Sequence, residues 1–184
     1  MRESVSKWRE HLLSIMLVGA VAVCRWAVPA STQQLPRTVA IIPGRSIGLV
    51  WIGMPIDEAK AIAIQFSPVE ENSNEKFHGF CNTHHGVGFC VYDYVRTLGY
   101  NLRNPGHVVF IVTDDNRFRL TSDLRVGSAF AGFLKMFGIY TASSGAIVKW
   151  ESLGLSVLLN TQNSVLLTVG SIAVFQPVVE QDRP

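Results

Sequence analysis

Apolar residues recur every three or four positions in two segments of the chain, 55–66 and 129–137. This spacing places them on one face of an α-helix. The earlier stripe consists of Ile56, Ala59, Ala63 and Phe66, and the later one of Phe130, Phe133, Leu134 and Phe137. Pro55 suits the first turn of the earlier helix, Ser128 is a good N-cap for the later one, and Gly138 is expected to end it. We therefore predict two helices whose stripes face the core.

Six further segments are short and rich in β-branched and aromatic residues, which predicts β-strands. They read VGFCVYDYV, LGYNLRN, HVVFIVTDD, AIVKWES, LGLSVLLN and SVLLTVG. Turn compositions, NPG at 104–106 and NTQN at 160–163, separate members of this set. Adjacent strands are therefore expected to run antiparallel.

The order of these elements repeats along the chain. Gly53 and Gly127 each follow a short alternating strand and precede a predicted helix, and the Leu-Gly pair at Gly99 aligns with the Leu-Gly pair at Gly154. The first copy is longer between helix and sheet, and the stretch FHGFCNTHHGVGFC lies in that insertion. We therefore predict two tandem repeats of the order β-α-β-β-β.

The predicted fold class is α+β, with each helix packed on an antiparallel sheet. A helix cannot bury its stripe alone, and a small sheet cannot cover its own apolar face, so stacking one on the other satisfies both. The two pseudo-repeats, about 40–115 and 116–178, are expected to extend one sheet within a single domain over 31–178. Residues 179–184 are expected to form a C-terminal tail.

The first thirty residues have the pattern of a secretory signal peptide. A basic head precedes LLSIMLVGAVAV (12–23), which is too short to cross a bilayer of about 30 Å as a helix. The small residues of WAVPA predict cleavage after Ala30. An uncleaved anchor and a lipid-modified Cys24 are the alternatives. We expect a periplasmic or extracellular protein with no membrane span after cleavage.

The net charge of the chain changes once this segment is removed. The full sequence has 16 Lys and Arg and 14 Asp and Glu. Segment 1–30 holds four of the basic residues and two of the acidic ones, which leaves twelve of each. The remaining chain has no cluster of basic side chains such as a phosphate backbone requires. Nucleic acid is therefore not expected as a partner.

One stretch, FHGFCNTHHGVGFCVYD, concentrates cysteine and histidine. In an oxidising compartment, Cys81 and Cys90 are expected to form a disulfide, and closing this short loop stabilises the fold by roughly 2–3 kcal/mol. His78, His84 and His85 would then be solvated on a surface loop, with no cofactor. The alternative is a zinc or copper site built on these histidines. Adjacent histidines on an extended segment point to opposite faces, which favours the first interpretation.

Two segments resemble catalytic or cation-binding motifs but do not fit them. GRSIG (44–48) matches G-x-S-x-G, yet the nucleophile elbow requires a strand before Ser46 and a helix after it, whereas here a strand follows. TDDN (113–116) would begin a calcium loop at Asp114, but the position that requires glutamate is Arg125. We therefore predict no catalytic residues and no enzymatic activity.

The segment IGMPIDEAKAI is similar to the helix opening of the small outer-membrane assembly lipoproteins of the SmpA/OmlA type. The tandem helix-plus-sheet plan resembles that of the beta-lactamase inhibitory protein family. PGRSIGLVWIGM and LRVGSAFAGFLKMFG also resemble repeated openings in exported bacterial proteins. The resemblance spans 43–178 and implies a tandem α+β architecture with a broad sheet suited to a partner surface. No Leu-Gly-x-Pro closes the first helix, however, and the cysteine-histidine insertion belongs to this chain alone.

Aromatic residues on predicted strands are candidates for a protein interface, because Trp and Tyr commonly dominate such contacts. The candidates are Trp51, Tyr100 and Trp150. We therefore expect an exported, non-enzymatic binding module that engages an envelope or secreted protein through its sheet face or the segment 77–91. The alternative is a metal-binding protein that uses the histidines of the loop 78–90.

Overall fold

The computed structural model describes residues 39–177, apart from 66, 85–86, 98, 121 and 162–166. The predicted signal peptide, its cleavage site and the predicted tail at 179–184 lie outside the described residues. Within the described part of the chain, no helix has the length and apolar character needed to cross a membrane.

Both predicted helices are confirmed. Helix α1 spans Ile56–Ile64 and helix α2 spans Phe130–Phe137. Their stripes face inward in part. The buried positions are Ala59 and Ala63 on α1, and Phe130 and Phe133 on α2. Leu134 is 36% exposed, and Phe66 lies outside the described residues.

The start of α2 differs from the prediction. Ala129, and not Ser128, occupies the N-cap position. The Ser128 hydroxyl instead accepts a hydrogen bond from the backbone N–H of Arg125 at 3.1 Å. The N–H of Phe130 donates to the carbonyl oxygen of Leu167 at 2.9 Å. A backbone partner from outside the helix therefore replaces the expected side-chain cap.

Thirteen strands are found among the described residues. In chain order they are β1 (Val39–Ile42), β2 (Ser46–Ile47), β3 (Val50–Trp51), β4 (Val69–Glu71), β5 (Phe77–His84), β6 (Val87–Val95), β7 (Leu102–Arg103), β8 (Phe110–Thr113), β9 (Phe118–Leu120), β10 (Ala142–Ser144), β11 (Ile147–Trp150), β12 (Leu155–Asn160) and β13 (Thr168–Phe175).

Most of these strands form one large antiparallel sheet, as the sequence predicts. Its order is β10-β11-β12-β13-β8-β6-β5-β4, and β7 also pairs with β6. A smaller sheet has the order β3-β2-β1-β9, and its β1–β9 pair is parallel. The fold is therefore α+β, and strands from both halves of the chain extend the large sheet as expected, but the small sheet and its parallel pair were not predicted. Strand β9 pairs with β1 and runs in the same direction, although the two strands are far apart in the sequence. Turn compositions identify only pairing between strands that are close in the sequence, so they do not predict this pair.

The large sheet has a core on each side. Its inner face, together with the two helices and the small sheet, forms the main core, with Val91, Ile111 and Ile172 fully buried. The opposite face forms a smaller aromatic core in which Tyr100 packs against Phe110 and Phe175. Side chains alternate across each strand, so neighbouring residues of one strand contribute to different cores.

The cysteine-histidine stretch does not form the surface insertion that the repeat alignment predicts. Residues 77–84 and 87–95 are strands β5 and β6, and both lie within the large sheet. The Leu-Gly alignment is also not structural. Gly154 connects β11 to β12, the second and third strands after α2, whereas Gly99 lies after β6, the third strand after α1. The glycines and histidines of this stretch suggested a loop, but cross-strand pairing overrides such local preferences.

Candidate functional site

Cys81 and Cys90 lie opposite each other on β5 and β6 and are joined by a disulfide, which confirms that prediction. Their Cα atoms are 4.1 Å apart, the spacing of a close cross-strand pair. The neighbouring Phe80 and Val91 belong to the main core, so the disulfide lies on the other face of the sheet. Asn72 Nδ2 donates to Cys81 Sγ at 3.2 Å. The disulfide thus fixes β5 to β6 on the face away from the helices.

A β-bulge lies on β6 near this disulfide, where Asp93 and Tyr94 both stand beside His78. Gly79 pairs with Tyr92, but His78 pairs with Tyr94, so Asp93 is the extra residue on β6. Bulges redirect side chains and are frequent next to functional sites. Asp93 is only 5% exposed, and a buried carboxylate requires polar partners.

Asp93 finds those partners with both of its carboxylate oxygens. Oδ1 lies 2.7 Å from Nδ1 of His78, and Oδ2 accepts the backbone N–H of Gly106 at 2.8 Å. An ionised carboxylate can only accept, so Nδ1 of His78 carries the proton and donates it. The imidazole is thereby oriented, and its Nε2 is left for another partner. The side chain of His78 is 56% exposed.

His78 and Asp93 line a surface cavity of about 390 Å³ together with Tyr94, Arg103 and Pro105. His78 pairs with Tyr94 across β5 and β6, and Tyr94 pairs with Arg103 across β6 and β7. The three side chains therefore form a row across neighbouring strands. This cavity is the candidate functional site.

Three residues of this cavity were not predicted as site residues from the sequence: Asp93, Tyr94 and Arg103. The sequence contained one indication of Asp93. Phe89, Val91 and Asp93 occupy every second position of the strand, and the first two face the main core. A charged residue at a core position implies a partner. Neither the bulge nor the pairing with β7 can be read from local sequence.

Two of the three proposed metal ligands lie far apart along one strand. His78 and His84 lie at opposite ends of β5, six residues apart, which is about 20 Å along an extended strand. His85 and the side chain of His84 lie outside the described residues. Among the residues that are described, no three potential ligands cluster closely enough to hold an ion. The histidine metal hypothesis therefore has no assembled donor set in this part of the chain.

The three interface candidates have different environments. Trp51 is 43% exposed, whereas Tyr100 is 9% and Trp150 is 2% exposed. Trp150 packs against α2, and its Nε1 donates to the carbonyl oxygen of Gly138 at 3.1 Å. The interpretation of Tyr100 and Trp150 as interface residues is therefore wrong, because both serve in cores. Trp51 remains a candidate.

Trp51 belongs to an exposed apolar surface on the small sheet. Ile42 pairs with Ser46, and Ser46 pairs with Trp51, so the three residues form a row across β1, β2 and β3. Ile42 is 42% exposed, and Leu49, in the turn between β2 and β3, is 65% exposed. We call Ile42, Leu49 and Trp51 the Trp51 surface.

A second polar cluster lies buried on the outer face of the large sheet. The Tyr100 hydroxyl donates to Ser156 Oγ at 2.5 Å, and Lys149 Nζ donates to the carbonyl oxygen of Gly99 at 2.9 Å. Lys149 Nζ also lies 3.7 Å from the centroid of the Tyr100 ring. Burial raises the pKa of Tyr100 to about 12 and lowers the pKa of Lys149, while Glu151 opposes the shift of the lysine. The side chains of Tyr100, Lys149 and Ser156 are all buried, so we interpret this cluster as part of the folded core and not as a binding site.

We expect stability to fall as the pH rises from about 10 to about 12, because the folded chain holds the Tyr100 proton more tightly than the unfolded chain. The difference between about 12 and the ordinary 10.0 corresponds to roughly 2–3 kcal/mol. Tyr92, whose pKa is also raised by burial, acts in the same direction. Lys149 acts in the opposite direction, since its lowered pKa makes the unfolded chain the better proton acceptor. Urea unfolding at pH 9 and pH 11.5 measures the net change.

The matched variant for this prediction is Tyr100→Phe. It loses the hydrogen bond to Ser156 and should be less stable at pH 9, yet it should lose less stability than the native chain between the two pH values. An equal loss in both proteins would contradict the assignment of the alkaline transition to Tyr100.

The two motif-like segments have structural roles. Arg45 N–H donates to the carbonyl oxygen of Ile42 at 3.0 Å, which makes GRSIG a turn leading into β2, with Ser46 only 8% exposed. In TDDN, Asp115 is bound by the guanidinium of Arg117 at 2.5 and 2.7 Å. Burial alone would raise the pKa of Asp115, but the hydrogen bonds from Arg117 hold the pKa of this carboxyl below its ordinary value.

No protein-family model matches the chain, and no curated protein matches it. Among solved structures, the chain is similar to the uncharacterized protein yfeY from Escherichia coli, with 15% identity and a TM-score of 0.40. The alignment covers 76% of this chain and 99% of that one. At this level of similarity, nothing about function transfers from one protein to the other.

Proposed function

We propose that the protein is an exported, non-enzymatic binding module that engages another envelope or secreted protein through its Trp51 surface. The observation that carries this proposal is the contrast between the two faces of the small sheet. On its inner face, Ile41 and Val50 are 0% and 2% exposed. On its outer face, Trp51 and Ile42 are 43% and 42% exposed.

Several large apolar side chains that are neighbours on a surface point to a partner. Scattered exposed apolar residues are normal, but contiguous ones often mark interaction sites. Tryptophan is also strongly enriched among the residues that dominate binding energy. The partner that fits is a protein with an apolar patch, because burial of Trp51 and Leu49 against such a patch would remove their apolar surface from water.

Export is part of the same proposal. Disulfides persist in oxidising compartments and are rare in the cytosol, so the Cys81–Cys90 bridge supports a periplasmic or extracellular location. The signal-peptide pattern of the first thirty residues supports the same location.

We also propose that the described chain consists of two tandem repeats. Each helix is followed by four strands on the main path of the large sheet, one more than the predicted order contains. These are β4, β5, β6 and β8 after α1, with the short β7 as an addition beside β6, and β10 to β13 after α2. The two sets meet at β8 and β13. The connections before the helices also correspond. Gly53 N–H donates to Val108 O and Gly127 N–H donates to Val169 O, both at 2.7 Å. Such matching contacts support an internal duplication of the element order.

We expect Trp51→Ala to weaken binding to the partner at least about 30-fold, the size of an interface hot spot. The partner is first identified by a photo-crosslinking amino acid at position 51 in the exported protein, and then purified for affinity measurement. Ile139 provides a matched control, because it is apolar and 88% exposed but lies outside the Trp51 surface. A crosslinker at position 139 and the variant Ile139→Ala should leave the partner and its affinity unchanged.

Two results would oppose the proposal. Equal losses of affinity in Trp51→Ala and Ile139→Ala would remove the special role of the Trp51 surface. Crosslinks from position 51 that reach only a second copy of the chain would show self-association in place of a different partner. Thermal unfolding of both variants controls for stability, which should change little at these exposed positions.

A further inference from the structure

We propose that the cavity lined by His78, Asp93, Tyr94, Arg103 and Pro105 binds a small ligand that carries a carboxylate or phosphate on an apolar body. This site shares no residue with the Trp51 surface, and its function does not depend on a protein partner. The inference rests on four features: the cross-strand row, the oriented imidazole, the arginine and the apolar lining.

The row sets the spacing of the polar groups. His78 and Arg103 flank Tyr94 on the two neighbouring strands. Directly opposed residues have Cβ atoms about 5 Å apart. The Cβ atoms of His78 and Arg103, with Tyr94 between them, are therefore about 10 Å apart. Their long side chains can converge on one group placed above the tyrosine.

The imidazole is held by a buried partner in a way that a solvated histidine is not. Asp93 is fixed by the Gly106 N–H at 2.8 Å and accepts from His78 Nδ1 at 2.7 Å. The remaining ring nitrogen, Nε2, can accept a hydrogen bond when the ring is neutral and donate one when it is charged. A ligand with both an anionic oxygen and a hydroxyl, such as a phosphate monoester, suits either state.

Arg103 supplies the charge that selects an anion. It is exposed and lines the cavity, and among the described residues it forms no salt bridge. The planar guanidinium matches the geometry of carboxylate and phosphate groups. The one carboxylate in the lining, Asp93, binds His78 and the Gly106 N–H and forms no salt bridge with Arg103.

The remaining lining is apolar. Tyr94 contributes its ring, and its hydroxyl lies 3.5 Å from the carbonyl oxygen of Glu75, so the polar end of the side chain already has a partner. Pro105 adds a second apolar surface. A volume of about 390 Å³ falls within the range of small-ligand sites. The ligand class is therefore a small anion with an aromatic or aliphatic body.

The test uses phenyl phosphate and benzoate as probes, with benzyl alcohol as the neutral analogue. Each is titrated into the disulfide-intact protein while backbone and histidine NMR signals are followed. We expect saturable shifts of His78, Tyr94 and Arg103 with at least one anion, and binding of benzyl alcohol at least about tenfold weaker. The comparison of phenyl phosphate with benzoate decides which anion the site prefers.

Arg103→Gln removes the charge without shortening the side chain greatly, and it should weaken binding of the anion at least about tenfold. Arg45→Gln is the matched control, because Arg45 is also exposed but lies outside the cavity, and this variant should bind as the native protein does. His78→Gln should weaken binding while the backbone signals of β5 and β6 stay in place.

The proposal is overturned if neither anion gives saturable NMR shifts at concentrations up to about 10 mM. A dissociation constant above that value is too weak for useful recognition. It is also overturned if benzyl alcohol binds as tightly as the anions, or if Arg103→Gln and Arg45→Gln behave alike. Both arginines are at exposed positions, so these variants are expected to fold.

Discussion

Replacing Trp150 with alanine is expected to lower the free energy of unfolding by about 3–5 kcal/mol, the usual cost of removing a large aromatic side chain from a core. Trp150 is 2% exposed, and its ring centroid lies 5.7 to 6.4 Å from those of three phenylalanines. These are the α2 residues Phe130, Phe133 and Phe137. Alanine would leave a cavity between α2 and β11 and remove the hydrogen bond to the carbonyl oxygen of Gly138. Equilibrium unfolding in urea measures the change.

The matched control is Trp51→Ala, which removes the same side chain from an exposed position. Its effect on stability should stay below about 1 kcal/mol. Similar losses in the two variants would mean that Trp150 does not anchor α2. The pair thus separates a tryptophan that supports the fold from one that is available to a partner.

The positions of the helices could be predicted because their determinants are local. The stripe that includes Phe130 and Phe133 fixes both the helix and its buried face. The disulfide could also be predicted, since only two of the three cysteines lie outside the predicted signal peptide and they are nine residues apart. Each of these features depends on residues that are close together in the sequence.

The environments of Trp150 and Tyr100 could not be predicted in the same way. Both lie on or next to strands, where alternation shows that two faces exist but not what covers each face. Trp150 lies under α2, and Tyr100 packs against Phe110 and Phe175. Which face is covered follows from the order of strands in the sheet, and that order depends on pairing between distant segments.

The candidate site depends on a bulge, which is the least local feature of all. Because of the extra residue on β6, His78 pairs with Tyr94 while its Nδ1 contacts the carboxylate of Asp93, so both residues lie beside the histidine. The sequence offers only the mismatch between a carboxylate and its core-facing position. The partners that resolve this mismatch, His78 and Gly106, come from two other segments of the chain.

A close backbone approach joins the small sheet to the large one. The carbonyl oxygen of Gly154 accepts from the N–H of Gly44 at 3.2 Å and from the N–H of Phe175 at 2.9 Å. Gly44 lies in the turn that leads into β2, two residues from Ile42 of the Trp51 surface. Gly154 has φ of 60°, the left-handed conformation that favours glycine.

Gly154→Ala is therefore expected to destabilise the fold by about 2–5 kcal/mol, from left-handed strain of about 1–2 kcal/mol and overpacking of about 1–3 kcal/mol. An added Cβ would lie 2.7 Å from Gly44 Cα and closer still to the carbonyl oxygen of Phe175, and both obstacles are backbone. Gly145→Ala is the control, because Gly145 has φ of 59° but no atom within 4 Å of the added Cβ. It should cost only the strain of about 1–2 kcal/mol. Urea unfolding of both variants gives the difference, and equal costs would show that the approach of Gly154 to Gly44 is not tight.

If Gly154→Ala still folds, crosslinking from position 51 should also weaken, since the turn beside the Trp51 surface must shift.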